Sequence, residues 1–261
     1  TNVRIRDFRL TMSKYYVFDT ETDGQDPQGL IQLSVCNQDN EMLFNEYLDP
    51  EGDIVPAALA VHGLTKSFLK DYKNSPSIYS YIHKNMVRSP HIFVAQNGQF
   101  DIDVINTFME KNYGLPLPSA GKKVYAPGEK VNFQPKLLDT LRLAKHFIDP
   151  VEIGNFKLDT LFVFLFPKKV KQMFKRRNSH DALEDCKMTN EVMLELGKRY
   201  MSTDNVQDIY KQSIKPYILT TWPMGKYKGQ PLEDADYGYI RWAKSTLDDP
   251  DLKYSLELKG L

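Results

Sequence analysis

Tyr15-Tyr16-Val17-Phe18-Asp19-Thr20-Glu21-Thr22-Asp23-Gly24 is an apolar run that ends in two carboxylates. A strand repeats its side-chain direction every second residue, so positions 15, 17, 19 and 21 share one face and Asp19 and Glu21 leave the sheet side by side. Two anions that close repel each other. A bound divalent cation relieves the repulsion, and oxygen ligands suit Mg²⁺ or Mn²⁺. A single Asp-x-Glu is expected by chance in a chain of ordinary composition, so the reading needs further acids downstream.

Two later segments supply them. Pro90-His91-Ile92-Phe93-Val94-Ala95-Gln96-Asn97-Gly98-Gln99-Phe100-Asp101 reads as a strand, a polar turn and the start of a helix whose apolar positions fall at Val104, Ile105 and Phe108. Asp101 lies on that inward stripe, where an unpaired carboxylate is costly unless it is paired, protonated or near a metal. The bland alternative is a capping Asp at a helix start. His180-Asp181-Ala182-Leu183-Glu184-Asp185 opens a helix running toward Tyr200, with Asp185 on the stripe of Thr189, Val192 and Leu196. His180 is about 140° from Asp185 around a helix, so it is expected on the preceding turn, able to swing over the same site.

Order along the chain predicts the architecture. Residues 15–21, 29–36 and 41–48 read as an antiparallel meander. Pro56 to His62, a helix at 76–87 capped by Ser75, a strand at 91–95 and the helix from Asp101 come next. This switch from hairpins to alternating strand and helix predicts an α/β fold, a mixed sheet flanked by helices. Residues 113–135, rich in Pro and Gly, read as a long surface loop.

The three acidic motifs resemble those of the DEDDh family of 3′→5′ exonucleases, in the family's order and at compatible separations. The matching residues are Phe18-Asp19-Thr20-Glu21, Asn97-x-x-Phe100-Asp101 and His180-x-Ala182-x-x-Asp185, with weaker agreement at Leu59–Thr65 and Leu138–Ala144. The resemblance implies an RNase H-like exonuclease fold with a five-stranded sheet over about residues 14–200. It implies two Mg²⁺ or Mn²⁺ ions held by Asp19, Glu21, Asp101 and Asp185, with His180 as general base, and release of nucleoside 5′-monophosphates from a free 3′ end. It also implies substrate contacts at Thr20, Thr22, His62, Leu64, Asn97 and Phe100. One departure, Gln96 where many relatives carry His, bears on substrate contacts.

Composition sets bounds. The 34 basic and 34 acidic residues of the 261 balance. No global positive field would therefore hold long duplex nucleic acid, and affinity must come from local patches. The run Lys168, Lys169, Lys171, Lys175, Arg176, Arg177 is a candidate for phosphate contact or simply a solvated face. Two cysteines, Cys36 and Cys186, support neither a disulfide scaffold nor a zinc site, which makes a reducing, cytoplasmic location the default expectation. No apolar stretch reaches the length of a membrane span. The motifs leave residues 1–13 as an arm and 201–220 as a connector. Trp222–Leu232 and Tyr237–Trp242 then resemble the small C-terminal module, residues 221–261 here, of exodeoxyribonuclease X-type enzymes. That favours DNA, single-stranded or 3′-tailed, as substrate. The rivals are an RNA-trimming enzyme of the same family and an inactive nucleic-acid-binding module. The rings and cations Trp222, Lys226, Tyr227, Lys228, Arg241 and Trp242 are expected to form a nucleic-acid surface or else to be packing.

Overall fold

The protein is described by a computed structural model covering residues 15–26, 28–112, 132–171 and 181–261, with residues 116–117 and 124–125 described by their backbone. The N-terminal arm at 1–13 lies outside the described residues. The strands are β1 Tyr15–Thr22, β2 Leu30–Asn37, β3 Met42–Tyr47, β4 Ile92–Ala95, β5 Pro116–Leu117, β6 Val124–Tyr125 and β7 Lys136–Asp139. Five of them form one mixed sheet in the order β3-β2-β1-β4-β7. β1, β2 and β3 are antiparallel, whereas β4 runs parallel to β1 and β7 parallel to β4. This is the sheet expected from the motif order.

β1 is buried along almost its whole length because both faces of the sheet are covered. On one face Tyr15, Val17, Cys36, Val94 and Leu138 pack against Leu161 and Phe162 of the Leu158–Leu165 helix and Val192 and Leu196 of the Ala182–Met201 helix. On the other, Tyr16, Phe18, Val35 and Phe93 meet Ile78, Ile82, Ile102 and Ile105. Helices on opposite faces therefore carry the second and third acidic motifs, and the first lies between them on β1.

Local structure departs from expectation in three places. The helix expected at 76–87 is α-helical only over Ser75–Tyr81 and continues as a π turn over Ile82–Met86. Its N-cap is Asn74, whose amide is drawn away to Glu46 and to the Tyr47 carbonyl. The stretch 113–135 is not wholly a surface loop. Residues 116–117 pair with 124–125, and Phe133 is fully buried edge-on to Phe18 and Phe93. Its backbone is held there by both ends of the Asn106 amide. Cys36 and Cys186 are buried free thiols, and no described helix is long and apolar enough to cross a membrane.

Residues after Thr221 build a separate small core from Trp222, Leu232, Ile240, Ala243, Leu252 and Leu256. Trp222 is buried there, with its indole N–H on the Leu232 carbonyl, so it is not a nucleic-acid contact. Tyr227 is half-buried, donating to Asp236 and packing on Tyr239. Gly225 has φ +77°, and a Cβ there would lie 2.1 Å from the Tyr239 hydroxyl. The Gly-Lys-Tyr-x-Gly stretch is thus fixed by packing. Trp242, Arg241, Lys228 and Tyr237 remain exposed. Arg142 ties this segment to the sheet domain by a bidentate pair with Asp251, at 2.7 and 2.9 Å.

Candidate active site

β4 stops at Ala95, but β1 continues to Thr22, so the last residues of β1 run past the end of their parallel neighbour. The Asn97–Asp101 turn fills that space. Asp101 enters at the first turn of the Gln99–Lys111 helix, and its Oδ1 accepts from the Thr20 N–H at 2.9 Å and the Thr20 hydroxyl at 2.6 Å. From the opposite face, Cys186, Thr189 and Val192 seat the Ala182–Met201 helix on the sheet and bring Asp185 over β1. Carboxylate oxygens of Asp19, Glu21 and Asp185 then lie within 4.8 Å of one another.

Burial with mutual repulsion dominates the electrostatics. Asp19 is held well above the usual carboxylate range by burial first, then by the charges of Asp101, Asp185, Glu21 and Asp181. Glu21 is pushed up to about 8 by burial, then Asp185, Asp101 and Asp181. Asp101 is pushed up to about 7 by burial, which the two Thr20 hydrogen bonds oppose. Among the described residues, the charged neighbours that raise these three acids are themselves acids. Three clustered oxygen donors of this kind fit a hard divalent cation, which would supply the missing positive charge.

A supporting ring of polar contacts surrounds the acids. Asp139 accepts from the Asn97 N–H at 3.0 Å and caps the Thr140–Lys145 helix through Leu141 N–H at 2.9 Å. Asn97 sits at φ +58°, a left-handed position that Asn tolerates. Gly98 comes next, where a Cβ would lie within 2.7 Å of Ala95 and 2.8 Å of Leu137, so only glycine lets the turn close. Gln96, expected to bear on substrate contacts, is hydrogen-bonded within the fold. Its amide donates to the Phe156 carbonyl and accepts from the Thr140 hydroxyl.

Sequence reasoning missed Asp181, Gln32 and Tyr47. Asp181 caps the Ala182–Met201 helix and is bound to Gln32 of β2. Its place just ahead of an apolar helical stripe was a capping signal. Gln32, fully buried in β2, was a long polar side chain that asks for a partner. Tyr47 pairs with Gln32 in the β2–β3 ladder, as Gln32 pairs with Glu21, and it is raised above its ordinary value by burial, then by Asp181, Tyr72 and Glu21.

The expected substrate contacts divide. Asn97 and Phe100 are exposed beside Asp101. Thr20 and Thr22 alternate with the acids, and their hydroxyls go to Asp101 and Gln28. His62 is buried, its Nδ1 accepting from Leu64 N–H at 2.9 Å, and so is not a surface on which bases stack. Leu64 is half-buried. His180, Lys175, Arg176 and Arg177 lie outside the described residues. Of the remaining basic run, Lys169 is paired with Glu191 at 2.8 Å and lies over the Phe166 ring.

Residues 16–193 match the RNase_T exonuclease family. The chain belongs to this family. It is accordingly a nucleic-acid hydrolase of the DEDDh 3′→5′ exonuclease type. Among relatives, it is 25% identical over 255 residues to Exodeoxyribonuclease 10 of Escherichia coli K12, covering 92% of this chain and 96% of that one. It is 27% identical over 207 residues to the DNA polymerase III subunit epsilon of Rickettsia prowazekii, covering 77% and 78%. Among solved structures, a zinc-bound E. coli ExoI–ssDNA complex superposes with TM-score 0.53 at 17% identity, over 77% of this chain and 42% of that one. This exonuclease shares their fold.

Proposed function

We propose that this exonuclease removes nucleotides from the 3′ end of DNA, single-stranded or 3′-tailed, and releases nucleoside 5′-monophosphates. The observation that carries it is the Asp19, Glu21 and Asp185 cluster with Asp101 beside it, in which burial first and neighbouring charge second hold Asp19, Glu21 and Asp101 above the usual carboxylate range. Asp19, Glu21 and Asp185 would hold a divalent cation, and Asp101 would hold a second, directly or through water. Two such ions supply a nucleophilic water and stabilise charge on the phosphorus and the leaving oxygen. Asp19, with Asp101, Asp185 and Glu21 all among its charged neighbours, would be a ligand in such a site. Thr20 fixes one Asp101 oxygen and so orients the other. His180, one residue before the helix-capping Asp181, takes the proton from the attacking water as a neutral imidazole. Exposed Asn97 and Phe100 contact the terminal nucleotide.

Two of the relatives carry DNA in their names, which supports DNA over RNA. The exposed Lys228, Tyr237, Arg241 and Trp242 of the C-terminal segment provide cations and rings suited to a longer strand. The test is digestion of matched DNA and RNA oligonucleotides, unpaired and 3′-tailed, under the same Mg²⁺ concentration. Faster release from DNA supports the reading, whereas preference for RNA makes this an exoribonuclease on the same catalytic residues.

A further inference from the structure

Glu21, Gln32 and Tyr47 are paired in register across β1, β2 and β3, so their side chains leave the same face of the sheet in a row. Gln32 is the middle of that row and is fully buried. Its Nε2 donates to Asp181 Oδ1 at 2.7 Å and to Asn45 Oδ1 at 2.9 Å, and its Oε1 accepts from Ala182 N–H at 3.4 Å. The same Asp181 oxygen accepts from Leu183 N–H at 3.1 Å. One amide therefore grips both the cap and the first backbone N–H of the helix that carries Asp185. It does so beside Glu21, its partner in the β1–β2 ladder.

We infer that Gln32 and Asp181 form a positioning lock that sets the spacing of Asp185 from Asp19 and Glu21, and so sets the affinity of this site for divalent cations. The chemistry requires an amide opposite a carboxylate. An acid at position 32 could accept from Ala182 N–H but would face Asp181 as a second anion, and an apolar residue would leave the Asp181 carboxylate without its side-chain donor. Groups that orient metal ligands from behind are worth about 10–100-fold in metal affinity or activity when removed.

This inference rests on the acids being the cation site, and the test reads cation binding directly. Mn²⁺ binding by the whole protein is followed by calorimetry and electron paramagnetic resonance. Single-strand hydrolysis and thermal melting are measured alongside for Gln32→Glu, Asp181→Asn and the double variant. Gln32→Glu is expected to weaken Mn²⁺ binding and lower kcat by about 10–100-fold, with KM changed less. The double variant restores a donor and acceptor across the contact, keeps the helix cap and returns the pair to its original net charge. It is therefore expected to recover most of both. Additive losses in the double variant, or a Gln32→Glu protein that binds Mn²⁺ as the parent does, would overturn the lock. A parent protein that binds no Mn²⁺ would instead overturn the cation site itself.

Discussion

Without a cation, the acid cluster works against the fold, and Glu21→Gln should therefore stabilise the metal-free protein. Glu21 lies within 4.8 Å of oxygens from Asp19 and Asp185. At that distance, with an effective dielectric of about 20, each ionised neighbour costs roughly 3 kcal/mol. The rise from 4.5 to about 8 has the same sense. A carboxyl raised in this way keeps its proton in the folded chain after the unfolded chain has lost it. Stability is therefore lost as pH climbs from about 4.5 to about 8 and is constant below that window. Each carboxylate shares its repulsion with its neighbours, so removing one charge returns part of the total, about 2–4 kcal/mol at pH 8. For a chain of this size that raises Tm by roughly 5–10 °C. The assay is scanning calorimetry in a chelator from pH 4.5 to 8.5, comparing the parent with Glu21→Gln. A gain that grows with pH is expected. Equal or lower stability at pH 8, or a gain independent of pH, would refute the reasoning.

The same protonation makes cation binding release protons. Mg²⁺ should bind more weakly at pH 6 than at pH 8, and calorimetry at pH 7 in two buffers of different ionisation heat should show protons leaving Glu21 and Asp101, whose values lie near about 8 and about 7. Absence of proton release would mean that these acids are already ionised. His180→Ala should lower turnover by roughly 10²–10⁴ while Mn²⁺ binding is retained, the pattern of a lost base; loss of Mn²⁺ binding would make it a structural or ligand residue. Arg241→Ala with Trp242→Ala should slow digestion of a long or 3′-tailed DNA and flatten its salt dependence while leaving a dinucleotide unaffected. Equal slowing on both substrates would assign those side chains to folding.

The acids on β1 were legible because strand periodicity places Asp19 and Glu21 together without knowledge of any other element. Asp101 and Asp185 were legible as charges on apolar stripes. What escaped depends on contacts that a local pattern does not encode. Gln32 meets Asp181 across 149 positions of sequence. Phe133, in a stretch of loop-like composition, is drawn inward because Phe18 and Phe93 leave room for a third ring. Trp222 carries the composition of a stacking surface, yet the segment around it needs a core of its own and takes that ring to build it. Thr20 and Thr22 were expected at the substrate by resemblance, and alternation along β1 turns their side chains to the face opposite Asp19 and Glu21, where the Thr20 hydroxyl meets Asp101.

The central claim is that these acids hold the cations for hydrolysis at a 3′ end, and product analysis tests it most directly. A 5′-labelled and a 3′-labelled single-stranded DNA are each incubated with the parent protein and with Asp19→Asn, with Mn²⁺ or with chelator. The prediction is stepwise shortening from the 3′ end, nucleoside 5′-monophosphate as the released product, and no release with chelator or with folded Asp19→Asn. Release that persists in chelator, undiminished activity of Asp19→Asn, or 3′-monophosphate products would contradict it.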